Sequence, residues 1–147
     1  MKLSTRGRYA TRAMLDLALH SAEGPVVIRD ISRRQEVSEL YMKQLIPPLR
    51  AARFIRVIRG AHGGLTLAKP PSQIKLIEII QSIEGSTAPV ECVDDAGICS
   101  RSDLCVTRVV WTKIKEAIDK VLESTTLQDL VEQHRQTEEA SIGGYQI

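Results

Sequence analysis

Ser38-Glu39-Leu40-Tyr41-Met42-Lys43-Gln44-Leu45, followed by Phe54-Ile55-Arg56-Val57-Ile58-Arg59-Gly60-Ala61-His62-Gly63-Gly64-Leu65-Thr66-Leu67-Ala68, is the stretch that decides the fold. Ser38 is an N-cap residue type, whose side-chain oxygen accepts a free backbone N–H of a first helical turn. Behind it Leu40, Tyr41, Gln44, Leu45 and Leu49 recur at helical spacing. The second half consists of two β-prone runs flanking a glycine-rich tip that tolerates positive φ, which predicts a hairpin. Upstream, Asp30-Ile31-Ser32 opens another helix to about Gln35, and Val37-Ser38-Glu39 is a short polar break. Two helices across such a turn make a helix-turn-helix outline. A hairpin placed directly after the second helix is the order of a winged helix-turn-helix, with Arg59 at the base of the tip, positioned to enter a minor groove or touch phosphate.

The flanking elements follow the same logic. Ser4 can cap a first helix in which Tyr9, Ala10, Ala13, Met14, Leu17 and Ala18 recur through about His20. Val26-Val27-Ile28 is short, β-branched and turn-flanked, and predicts a small strand. Pro47-Pro48 lie inside the third helix, where proline loses a hydrogen bond; a kink is expected, with a second piece ending near Ala52. Pro70-Pro71-Ser72 marks a boundary, followed by an Ile/Leu-rich helix from Ser72 to about Glu84. Residues 85–104 read as a loop, and a long helix is expected from about Asp103. Its apolar stripe of Val106, Val109, Val110, Ile114, Ile118, Val121 and Leu122 suits a dimer seam or ordinary core packing. Thr125-Thr126 can cap a short last helix from Leu127 to about His134. The expected fold class is therefore mostly α with a small β-hairpin wing: a winged helix-turn-helix plus a long C-terminal dimerisation helix. Residues 1–71 form the expected DNA-binding unit, 72–134 the cysteine loop and dimerisation helices, and 135–147 a polar, disordered tail.

The chain has 147 residues and a net charge of +2, but the charge is uneven. Residues 1–70 hold 13 Lys and Arg against 5 Asp and Glu, while residues 71–147 hold 7 against 13. A basic first half suits a polyanion such as nucleic acid, or simply a solvated basic face. The sequence has no apolar run long enough to span a bilayer, and Met1-Lys2-Leu3-Ser4-Thr5-Arg6 has no apolar signal region, so a cytoplasmic protein without membrane association is the expectation. No nucleophile elbow, phosphate-binding loop, zinc-protease or dinucleotide fingerprint occurs, and His20, His62 and His134 are scattered. Nothing points to an enzyme.

All three cysteines fall in Cys92-Val-Asp-Asp-Ala-Gly-Ile-Cys99-Ser-Arg-Ser-Asp-Leu-Cys105. The spacing C-x6-C-x5-C lacks the paired short arms of zinc sites. Wide gaps with Gly97 and small polar residues suit a flexible segment around a larger body, such as an iron–sulfur cluster. A redox thiol switch and ordinary reduced surface cysteines are the other readings.

Taken together, Met1-Lys2-Leu3-Ser4-Thr5-Arg6-Gly7-Arg8-Tyr9-Ala10, Asp30-Ile31-Ser32 with Tyr41 and Gln44-Leu45, and Arg59-Gly60 with Gly63-Gly64 resemble the IscR family, within the Rrf-two group of bacterial winged-helix regulators. The resemblance runs to about residue 134. It implies a homodimer that binds pseudo-palindromic double-stranded promoter DNA, with cluster occupancy or redox state altering recognition and with iron–sulfur assembly or related genes as targets. It further implies Cys92, Cys99 and Cys105 as thiolate ligands, of a [2Fe–2S] cluster in preference to [4Fe–4S]. Ser38, Tyr41, Lys43 and Gln44 would lie on the recognition helix, with Gln44 suited to an adenine edge. Arg59 would lie on the wing, with Ser4 and Tyr9 as phosphate contacts at the first helix. Three positions depart from the pattern. Arg108 stands where a ligating histidine is expected, Lys43 replaces an acidic residue, and Arg53 stands where a helix-ending glycine is usual. Alternatives to cluster sensing are a regulator sensing nitric oxide, iron or oxidants through the same thiols, or an iron–sulfur carrier that binds no specific DNA.

Overall fold

The computed structural model describes residues 2–144. Helix α1 spans Thr5–His20, α2 Ile28–Gln35 and α3 Glu39–Ala51. Strands β1 (Ile55–Ile58) and β2 (Gly64–Leu67) follow, then α4 (Leu76–Glu84), α5 (Glu91–Asp94), α6 (Val106–Ser124) and α7 (Leu127–Gly143). The fold class expected from sequence is the one observed, a mostly helical chain with a two-stranded antiparallel hairpin.

α1 begins because Ser4 sits in extended backbone and its hydroxyl accepts the Gly7 N–H at 2.9 Å. Its buried stripe of Ala10, Ala13, Met14 and Leu17 meets Met42, Leu45 and Leu49 from α3 and Ile79 from α4 in one core. The same core takes Leu127 and Val131 from α7. Chain return is secured by two backbone bonds, Leu76 N–H to Thr125 C=O at 2.9 Å and Leu127 N–H to Ile74 C=O at 2.8 Å. α7 is thus part of the core that α1, α3 and α4 build, although it follows α4 only after α5 and α6 in the chain.

Several boundaries differ from expectation. Val26–Ile28 is not a strand. Only Val26 pairs, exchanging two hydrogen bonds with Leu65 at 2.9 and 2.7 Å, and Ile28 already begins α2. At Pro47-Pro48 the helix is not divided into two pieces; α3 runs through both prolines to Ala51, with Ala52 as its C-cap. The two prolines remove the amides that would bond the carbonyls of Lys43 and Gln44. Both of those residues are exposed, so the two carbonyls lie on the solvent side of the helix, while buried Met42, Leu45, Ile46 and Leu49 anchor its other face. α3 ends in a Schellman turn: Arg53 N–H bonds Arg50 C=O at 3.0 Å and Phe54 N–H bonds Leu49 C=O at 3.1 Å. Arg53 takes the left-handed conformation with φ +63°, in the place where glycine is usual.

The cysteine stretch is not a bare loop. It contains α5, a 3-10 turn at Ala96–Ile98 and another at Ser102–Leu104. α7 runs to Gly143 rather than stopping near His134, so residues 135–143 are helical; residues 145–147 of the expected tail lie outside those described. α6 is the exception in the packing, 19 residues with none buried.

Candidate nucleic-acid interface and cysteine segment

α3 presents two unlike faces. Met42, Leu45, Ile46 and Leu49 point inward, while Lys43 and Gln44 are exposed. Ser38 caps the helix by accepting the Tyr41 N–H at 3.1 Å, which leaves its hydroxyl proton free to donate outward. Lys43 pairs with Glu39 one turn back at 3.3 Å, a solvent-exposed pair worth under about 1 kcal/mol and readily exchanged for a phosphate. Gln44 makes no side-chain hydrogen bond among the described residues, so both ends of its amide are available.

Tyr41 is half-buried and meets Tyr9 of α1 edge to face, with ring centroids 5.7 Å apart. The Arg12 guanidinium lies 5.3 Å from the Tyr9 centroid and Arg8 lies 6.0 Å from it. Tyr9, Tyr41 and two cations therefore form one surface joining α1 to α3. Arg59 is exposed beyond β1, at the base of the hairpin tip. The tip closes through Gly63 N–H to Gly60 C=O at 3.1 Å, and a side chain at Gly63 would strike the Ile58 carbonyl. Ser4 stands apart from this group. Its hydroxyl accepts from Gly7 and donates to the Glu84 carboxylate, which also accepts the Ser4 N–H at 2.9 Å. A phosphate contact by Ser4 would have to displace Glu84.

Sequence reasoning overlooked the group that ties α1 to α2. Asp16 is 1% exposed. Arg34 of α2 binds it with both nitrogens, Nε at 2.9 Å and the terminal nitrogen at 2.6 Å, and Gln35 adds a third bond at 2.9 Å. This hydrogen bonding raises the Arg34 pKa above its ordinary value. Arg12 in turn donates to the Gln35 side-chain oxygen at 3.0 Å and to the Gln35 carbonyl. The network ends at Glu36, whose left-handed backbone (φ +54°) turns the chain toward α3. The signal was present in the sequence: Asp16 is an acid within an apolar helix, and such residues are buried only when paired.

Cys92 lies on α5 and is half-buried, Cys99 follows the 3-10 turn and is exposed, and Cys105 caps α6 and is half-buried. All three are free thiols. Cys105 Sγ lies 3.1 Å from Thr107 Oγ1, and that hydrogen bond, helped by the Arg108 backbone N–H, lowers the Cys105 pKa. Arg108 occupies the place where a histidine ligand was expected and has another partner: its Nε donates to the Cys92 carbonyl at 2.7 Å, binding α5 to α6. In donor type the three thiols fit iron–sulfur ligation. In position they are apart: no three Cys, His, Asp or Glu among the described residues stand close enough to hold a metal ion. Ligation would require the segment to draw together. On either side of Arg108 along α6, Val109 and Val110 are about half exposed and Val106 is 80% exposed.

A family model described as "Rrf2: Iron-dependent Transcriptional regulator" matches residues 3–133. The Protein rrf2 of Nitratidesulfovibrio vulgaris is 42% identical over 131 residues, covering 89% of this chain and 87% of that protein. Among solved structures, T. potens IscR has a TM-score of 0.77 at 40% identity, covering 93% of this chain and 90% of that one. The structure of CymR, the global cysteine regulator of B. subtilis, has a TM-score of 0.76 at 38% identity, covering 90% of this chain and 98% of that one.

Proposed function

The chain belongs to the Rrf2 family of DNA-binding transcriptional regulators, not enzymes, and from that premise we propose that it is a cytoplasmic homodimer controlled by its cysteine segment. The observation that carries the reading is the outer face of α3, the second helix of the helix-turn-helix, with Lys43 and Gln44 exposed directly before the hairpin bearing Arg59. Gln44 reads a base edge in the major groove, most favourably adenine through a bidentate amide contact. Ser38, Tyr41, Lys43 and Tyr9 hold the flanking phosphates, and Arg59 enters the adjacent minor groove. Ser4 serves through its cap on α1.

Dimerisation uses the exposed apolar face of α6, which spans about 28 Å at 1.5 Å per residue. Cys92, Cys99 and Cys105 hold an iron–sulfur cluster, [2Fe–2S] in preference to [4Fe–4S], with a fourth ligand other than a cysteine of this chain, which has three. When bound, such a cluster supplies an oxidant-sensitive, redox-active centre to the segment. Arg108 links that segment to α6 through the Cys92 carbonyl, so contraction of residues 92–105 moves the dimer seam and, with it, the spacing of the two α3 helices. The two forms must then differ in affinity for at least one DNA sequence, since equal affinity transmits no signal. The regulated genes are those of iron–sulfur assembly or related pathways.

A second reading keeps the regulator and changes the signal. The separation of the three thiols and the likeness to a global cysteine regulator favour direct thiol sensing of oxidants, nitric oxide or thiol metabolites. Anaerobic purification, with iron, sulfide and visible absorption recorded beside DNA binding, separates the two. A coloured protein whose absorption is lost on Cys92→Ala, Cys99→Ala or Cys105→Ala, with altered DNA affinity, supports the cluster. A colourless protein after reconstitution, whose DNA affinity follows thiol oxidation, supports the second reading. DNA affinity indifferent to both refutes any switch.

A further inference from the structure

The flank of the hairpin toward the end of α3 carries a second basic surface. Arg50 in the last turn of α3, Arg53 just beyond it, Arg56 on β1 and Lys69 after β2 line one open groove of about 590 Å3, floored by Ile55. It is distinct from the cleft of about 480 Å3 in which Lys43 of α3 faces the other flank of the hairpin. Four basic side chains elsewhere on the helices have an acid partner: Arg34 with Asp16, Arg33 with Asp30, Lys43 with Glu39 and Lys115 with Asp119. None of the four groove cations has a carboxylate within 4.0 Å among the described residues. Lys69 leans instead on the Phe54 ring, 5.5 Å from its centroid.

Arg53 adds an independent observation. It holds the C′ position of the Schellman turn at φ +63°, a conformation that glycine adopts without strain and arginine does not. A cation is kept at a position where the backbone favours no side chain, and it lines the same groove as Arg50 and Arg56. Strained positions of this kind point to function. The lining also limits the ligand. Its polar side chains are three guanidinium groups and one ammonium, with no acid, amide or hydroxyl beside them, and such cations make most of the contacts to DNA phosphates. What it offers is charge for phosphates.

We propose that this groove binds the phosphodiester backbone of duplex DNA running past the hairpin, outside the base pairs that α3 reads. The inference rests on the reading that α3 and the hairpin face DNA. It assigns Arg50, Arg53, Arg56 and Lys69 to affinity that depends on duplex length and not on flanking sequence.

The test uses the full-length protein and a duplex selected by it from a random pool. One probe is trimmed to the bases whose change abolishes binding; the other carries ten added base pairs of mixed sequence on each side. Wild type is expected to bind the long probe more tightly. The triple variant Arg50→Gln, Arg53→Gly, Arg56→Gln is expected to bind both probes alike, with the log–log salt slope on the long probe reduced by about 0.9 for each phosphate contact removed. Arg53→Gly alone, which removes the charge and relieves the backbone, should lose part of the length effect without loss of thermal stability. Unchanged length dependence in the triple variant overturns the proposal, as does equal loss on both probes. Stabilisation by tripolyphosphate without a length effect also overturns it, in favour of a small-anion site. Gln44→Ala keeps the readings separable, because it should change base preference and leave length dependence intact. A pool that yields no consensus refutes base reading by α3, and the same variants on random duplexes of two lengths still score the groove.

Discussion

Replacing Asp16 by Asn leaves the shape of the α1–α2 junction intact and removes its charge. The Asp16 carboxylate receives both Arg34 nitrogens and the Gln35 amide while 1% exposed. Removing one partner of a buried ion pair costs about 3–5 kcal/mol, mostly from the stranded charge. Arg34, however, has 29% of its side chain exposed and can turn toward water, so the loss is discounted for solvent screening to about 2–3 kcal/mol. At about 2–4 °C per kcal/mol for a chain of this size, the melting temperature should fall by about 4–12 °C. Urea unfolding with a fixed slope measures the change, and Arg34→Gln with the double variant closes a cycle whose coupling isolates the pair. Because Gln35, bonded to both Asp16 and Arg12, is the last residue of α2 before the turn into α3, DNA affinity at a temperature where the variant is folded should also fall. A loss of under about 1 kcal/mol, or a negligible coupling energy, would refute the claim that this pair holds α1 to α2.

Gly63→Ala places a side chain against the Ile58 carbonyl, so the hairpin tip must rearrange; DNA affinity should fall at least tenfold, measured by fluorescence anisotropy, while the melting temperature changes little because the tip is exposed. If α6 forms the proposed dimer seam, Val110→Glu on its exposed face should give a folded monomer by light scattering where wild type gives a dimer, since no residue of α6 is buried within the protomer. Burial pushes the Asp119 pKa up, but its bonds to Lys115 and Thr87 outweigh this and leave it below the usual carboxylate value. A depressed folded pKa stabilises above the unfolded value near 3.8 and is lost as pH falls through the folded one, so wild type should lose more stability on acidification than Asp119→Asn in urea titrations. Arg108→Leu frees the Cys92 carbonyl, and limited proteolysis within residues 92–105 should become faster.

Much of the DNA-binding half was legible because its signals are local. The Ser4 and Ser38 caps, the apolar stripe of α1, the glycine-rich tip and the left-handed Arg53 all depend on residues within a few positions of one another. The errors were also instructive. Pro47-Pro48 read as dividing the helix into two pieces because local rules weigh the lost hydrogen bonds, whereas Met42, Leu45, Ile46 and Leu49 on the other face hold it as one. α6 showed its stripe, yet a stripe alone does not say what covers it. The cysteine stretch read as a loop because its α5 and 3-10 turns are too short to display periodicity.

The sequence by itself determined the order of elements, the hairpin and the clustering of three thiols, since each follows from neighbours in the chain. Only the tertiary structure decided that Asp16 meets Arg34 eighteen residues away, that Glu84 binds Ser4, and that Leu127 and Val131 complete the core of the N-terminal unit. Only there did Arg50, Arg53, Arg56 and Lys69 come to share a groove, and Arg108 come to hold Cys92. The physical reason is common to all of them. Burying an apolar face or a charge requires a partner across space, and which partner it meets is set by how the helices pack.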